Sequence, residues 1–110
     1  MVPIQLPDIG QIVEVLRGRE KGLFGVVVGH LEGRFVLLAD GHHRKVEHPK
    51  RKNVLHTRKT DQSIATIVPT DPAAEKLTNA HLRYCLRLFV QMKNADENRR
   101  VEGSEQSGER

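Results

Sequence analysis

Ile12 to Leu16 and Phe24 to Val28 are runs dominated by β-branched residues, separated only by a short charged stretch. Such runs suit a pleated, half-buried surface better than a helix. Between them, Arg17-Gly18-Arg19-Glu20-Lys21-Gly22 supplies two glycines at which positive φ costs little and three cations close to the main chain. The stretch from Gly10 to Val28 therefore reads as strand, presented loop and strand. Val13 and Val15 point one way, and Ile12, Glu14 and Leu16 the other. Phe24, Val26 and Val28 share a face, and Gly25 marks a bulge or a close backbone approach.

More short strands follow. His30 to Gly33 turns the chain into a strand from Arg34 to Ala39, and Asp40-Gly41 is a hairpin signal that leads to a strand starting near His43. His43 to Glu47 and Asn53 to Thr57 are weakly apolar strands with Val46, Val54 and Leu55 inward, and Pro49 between them favours an edge or a bend. Five short strands joined by tight turns over residues 9–59 predict a small, strongly bent antiparallel barrel. With 110 residues and 37% apolar composition, the chain has room for one such domain with attachments.

The attachments differ in character. Residues 1–8, with Pro3 and Pro7, read as an extended lead-in whose apolar residues lie over the domain. Residues 60–70 are compatible with a linker or an extra strand. Asp71-Pro72 reads as a cap and first position of a short helical turn through Lys76, opening a helical extension over 71–93. Within it Thr78 caps a helix from Asn79 to Met92, Leu77 and Leu82 form a hydrophobic staple, and Leu82, Cys85, Leu86, Phe89 and Val90 form an apolar stripe. Residues 94–110, poor in apolar side chains, read as a disordered tail.

The net charge of +4 and pI near 9.6 suit a polyanionic partner. Its distribution is uneven: His42 to Lys59 holds seven cations against one acid, Glu47, a net +6. Arg44, Lys45, Lys50, Arg51 and Lys52 cluster there. With Arg17, Gly18, Arg19, Lys21 and Gly22 of the first loop, they are the candidate binding residues, forming two basic rims. The lone Cys85 excludes an internal disulfide, no long apolar run suggests a signal or membrane span, and a cytoplasmic location is expected. His42, His43, His48 and His56 with Cys85 reproduce no familiar zinc spacing. No nucleophile elbow, phosphate loop or paired-carboxylate pattern is present, so neither catalysis nor a cofactor or metal is expected. Phe24 and Phe35 could stack on a base, but alternation favours placing them with the core residues.

The spacing Val13-x-Val15-Leu16-x-Gly18-x-x-Lys21-Gly22-x-x-Gly25-x-Val27 resembles the KOW motif of ribosomal proteins and transcription elongation factors. With Phe35 to Gly41, Arg44-Lys45, Pro49 to Lys52 and Leu55-His56, the stretch from Gly10 to Thr57 is similar to bacterial KOW-domain RNA-binding proteins, themselves similar to a large-subunit ribosomal protein of archaea and eukaryotes. Leu77 to Phe89 matches more loosely as a closing helix. The resemblance implies a mainly β fold, an SH3-like five-stranded barrel with a C-terminal helical extension. It also implies a noncatalytic protein, monomeric when free, that docks on structured RNA, with ribosomal RNA or the ribosome as partner. Cations that neutralise phosphates, and glycines that admit backbone N–H groups, suit that task and favour reading RNA shape over sequence. The alternative is a protein-interaction module of the transcription or translation machinery, contacting ribosomal proteins or RNA polymerase.

Overall fold

Valine alternation sets the sheet. In a computed structural model describing residues 5–67 and 77–104, with side chains as far as Ala95, β1 (Gln11–Val15) pairs antiparallel with β2 (Phe24–Leu31). The register sets Ile12 against Val26, Val13 against Gly25 and Glu14 against Phe24. β2 turns into β3 (Phe35–Ala39) through Glu32 and Gly33, whose φ of 56° and 72° are what the mirror-image hairpin turn requires. β4 (Lys50–Asn53) lies beside β3 and β5 (Thr57–Ser63) beside β1, giving the order β4-β3-β2-β1-β5. One 3-10 turn, Val54–His56, joins the two edge strands, and α1 (Ile64–Ile67) follows β5. The last element is α2 (Asn79–Ser104). The fold is mainly β with a C-terminal helix, as the sequence predicts, and no described helix is long and apolar enough to cross a membrane.

The central strands are buried on both sides. Val13, Val15, Val27, Val36 and Leu38 pack together on one face, with Leu6 of the lead-in and Val54 of the 3-10 turn against them. Side chains on one face of a flat sheet do not cover each other, so this cluster requires the sheet to curl, and it defines the concave side. The convex face contributes Ile12, Val26 and Ala39 to a second core, completed by Ile64 and by Leu82, Cys85, Leu86 and Phe89 of α2. Phe24 and Phe89 meet edge to face with ring centroids 4.9 Å apart. Burial of Leu82, Leu86 and Phe89 contributes on the order of 1.5 to 3 kcal/mol each, before the entropy of ordering the helix. The helix is thus half of a core and not an appendage.

Several strand expectations are corrected. Asp40-Gly41 makes no two-residue hairpin: Asp40 Oδ1 accepts from the amides of His42 (2.8 Å) and Arg44 (2.9 Å), so the carboxylate folds the chain into a loop that lasts until Lys50. His43 to Glu47 is therefore loop, and the fourth strand is the basic run itself. Asn53 to Thr57 is no strand either, because the Asn53 side chain accepts from the Leu55 amide (2.9 Å) and caps the 3-10 turn. β5 extends to Ser63, past the expected barrel boundary at residue 59. Gly25 sits in regular register opposite Val13, and the β2 irregularity falls instead between Val27 and Gly29. A second irregularity, between Gln11 and Val13, is filled by side chains: Gln11 Nε2 donates to the carbonyls of Thr60 and Gln62 (both 2.7 Å), and Thr60 Oγ1 donates to Ile12 O (2.7 Å).

At the helix start Thr78 Oγ1 accepts from the His81 amide (3.2 Å), and Leu77 packs against the core that holds Leu82, as cap and staple predict. Val90 departs from the predicted stripe and is 39% exposed. α2 also runs through Ser104, well into the segment expected to be disordered. Residues 71–76, with the expected Asp71-Pro72 turn, lie outside the described residues, as do 105–110.

The loop after β3 is pressed onto α2. Gly41 is buried at φ 80°, Arg83 Nη1 donates to its carbonyl (2.6 Å), and a Cβ there would run into the Asn79 carbonyl. Gly33, at φ 72°, faces open space. Gly41→Ala should therefore cost about 2 to 4 kcal/mol and Gly33→Ala only about 1 to 2 kcal/mol, read as urea midpoints at unchanged slope. Equal losses would show that the loop yields freely against the helix.

Candidate nucleic-acid interface

The loop between β1 and β2 is closed by its own backbone. Gly22 N donates to Val15 O (2.7 Å), Val15 N to Leu23 O (2.9 Å), and Lys21 N to Gly18 O (3.2 Å). Gly18 and Gly22 take φ of 94° and 89°, a conformation other residues adopt only under strain. With that turn fixed, Arg17, Gly18, Arg19, Lys21 and Gly22 are all exposed at its tip. Glu20 points inward instead, and its carboxylate binds Arg44 Nε at 3.1 Å.

That ion pair links the two basic segments. A partly exposed surface pair of this kind is worth only about 0 to 1 kcal/mol, so its consequence is placement more than stability. Below it the mouth of the curled sheet forms a cleft of about 340 Å³, with Val15 and Leu38 at its floor and Glu20, Asp40, Arg44 and Lys50 on its wall. Lys52 Nζ lies beside Gly18, where an added Cβ would come within 2.9 Å of it. Arg17, Arg19, Lys21, Arg44, Lys50 and Lys52 thus belong to one neighbourhood.

The strand form of Lys50 to Asn53 divides the basic run, because successive side chains leave a strand on opposite faces. Lys50 and Lys52 pair with Leu38 and Val36, whose side chains line the concave core. Arg51 pairs with Leu37 on the other face and lies over the Phe35 ring, 4.9 Å from its centroid. Lys45 is exposed within the loop after β3. The expected pair of rims is therefore replaced by a single rim that includes Lys50 and Lys52, with Arg51 turned away from it. Arg58, also counted in the basic segment, is taken by Glu14 at 2.6 Å across the β1–β5 ladder. The role of Glu20 is hidden in the sequence: beside three cations it looks like simple charge dilution, and only the folded loop shows it reaching Arg44.

The chain matches no protein-family model and no curated protein. Among the described residues no group of three or more His, Cys, Asp or Glu side chains could hold a metal ion. His42 and His43 stack edge to face with centroids 4.5 Å apart. Cys85 is fully buried in the helix-side core, a packing position.

The loop that carries Arg44 and Lys45 is anchored to α2 through Asn79. Val46 N donates to Asn79 Oδ1 (2.9 Å), and Asn79 Nδ2 donates to Glu47 Oε1 (3.0 Å). This side-chain bond, then a backbone bond within Glu47 and the charges of Lys45 and His48, hold the Glu47 carboxyl below its ordinary value. A depressed carboxyl pKa stabilises the fold above the unfolded value, and that contribution is lost as pH falls through the folded one. Acidification below the ordinary glutamate range should therefore loosen this anchor. In an NMR titration the Glu47 midpoint should lie below the ordinary range in the native protein and return toward it in Asn79→Ala, where the Val46 amide should also exchange faster. An unmoved midpoint in the variant would remove Asn79 as the cause.

Proposed function

We propose that the protein is a noncatalytic, cytoplasmic, KOW-type RNA-binding protein that docks on structured RNA of the ribosome. The observation that carries this reading is the single rim on which the loop of Arg17, Arg19 and Lys21 comes up against Lys52 at exposed Gly18, with Lys50 on the wall of the adjoining cleft. Cations held by a rigid loop neutralise phosphates and release counterions, and the glycines leave backbone N–H groups within reach of the same phosphates. Glu20 holds Arg44 beside that rim and offsets its charge, so the lysines carry more of the electrostatic attraction than the arginine. Contacts of this type read the shape of a folded RNA and not its sequence.

A second reading is supported by one observation. An open, apolar groove of about 670 Å³ runs between the first loop and α2, where Leu23 is 53% exposed beside Leu86, Val90, Arg83 and Arg87. A protein-interaction module of the transcription or translation machinery would use that groove, and its complexes would survive nuclease treatment.

Replacing Arg17, Arg19, Lys21 and Lys52 together by Ala separates the two readings. The variant should keep its unfolding midpoint, bind ribosomal RNA more weakly, and show a salt dependence whose log–log slope falls by roughly 0.7 to 0.9 for each cation that held a phosphate. Unchanged affinity for ribosomal RNA at all salt concentrations would reject the rim as the site.

A further inference from the structure

α2 does not cover the whole convex face of the sheet. It packs on Ile12, Val26 and Ala39, whereas Phe35 and Leu37 of β3 join neither core. Register places these two beside Leu31 and Gly29 of β2 and beside Asn53 and Arg51 of β4. Cross-strand partners share a face, so the far end of the sheet presents a half-buried aromatic ring among aliphatic side chains. Leu31 is 37% exposed. Gly29 lets the Leu37 side chain lie flat across its backbone, since a Cβ there would approach Leu37 Cδ1 to 3.1 Å. Over the ring lies the exposed Arg51 guanidinium, 4.9 Å from the centroid.

We infer that this patch is a stacking platform for one unpaired base of the bound RNA, an inference that rests on the RNA-binding reading and adds a second mode of contact to it. A guanidinium packed on an aromatic ring keeps its other plane for a further π-system, and bases that are not paired stack on Arg planes and aromatic rings. The setting selects a nucleic acid over a peptide, because the flanking residues of β4 are Lys50 and Lys52 and the platform itself holds no acid. Alternation along this edge strand separates the two tasks: the lysines meet phosphates at the rim, and Arg51 meets a base on the opposite face. An RNA strand crossing the β4 edge engages both. The protein therefore prefers RNA with an unpaired nucleotide beside a helix over uninterrupted duplex.

Binding of the full chain to a perfectly paired RNA duplex and to the same duplex interrupted by a short unpaired loop tests this, with a fluorescent adenine analogue placed in the loop. Arg51→Lys keeps the charge and removes the plane. It should lower affinity for the looped RNA roughly tenfold, leave the duplex nearly unaffected, keep the salt slope, and abolish the quenching of the analogue seen with the native protein. Phe35→Leu should act in the same direction, and Lys52→Ala should weaken both RNAs alike; unfolding midpoints show that each variant is folded. Arg51→Lys binding both RNAs as the native protein does, or losing affinity for both equally, would overturn the platform while leaving RNA binding intact. Native protein that binds neither RNA would overturn the RNA-binding reading and the platform with it.

Discussion

The folding of this chain turns on one constraint: β1 and β2 carry large aliphatic side chains on both faces, so neither face of the central sheet can be left to water. Val13, Val15 and Val27 are covered by curling the sheet until Val36, Leu38 and Val54 close over them. Ile12 and Val26 are covered from outside by Leu82, Leu86 and Phe89 of α2. A domain of this size has little core to spare, so the helix is as necessary as the strands. Its N-terminus also fixes the loop after β3, through Asn79 on Val46 and Glu47 and through Arg83 on Gly41. The loop that carries Arg44 and Lys45 is thus positioned by the same element that completes the core.

Much of this is legible in the residues themselves. β-branched alternation gives β1 and β2 and their two faces, Gly18 and Gly22 give the loop, and Thr78 with Leu77 and Leu82 gives the helix start. These signals are local, each carried by neighbours within a turn or a strand. The misplaced elements depend on distant partners. Lys50-Arg51-Lys52 has no apolar alternation, because an edge strand is held by backbone pairing with β3 and its side chains face solvent and rim. Asp40-Gly41 looks like a hairpin until its carboxylate is seen bonding two later amides. Nothing near Val90 announces that the helix turns it away from the sheet.

For the site, residue identity was readable and grouping was not. All the cations of the rim stand out in the sequence, yet a run of three basic residues carries no information on which face each takes. Strand geometry supplies it, sending Lys50 and Lys52 toward the loop with Gly18 and Arg51 onto Phe35. Phe35 shows the same limit. Its place in the alternating pattern is that of a core residue, and it stays half-buried, outside both cores, because the covering helix does not reach that end of the sheet.

Crosslinking of the full chain to RNA in cells, with sequencing of the recovered RNA and mapping of the crosslinked peptides, tests RNA binding through the rim most directly. Ribosomal RNA joined to residues 17–22 and 44–52 is the predicted result. Recovery of no RNA, or of nuclease-resistant complexes with protein crosslinks along α2, would contradict it.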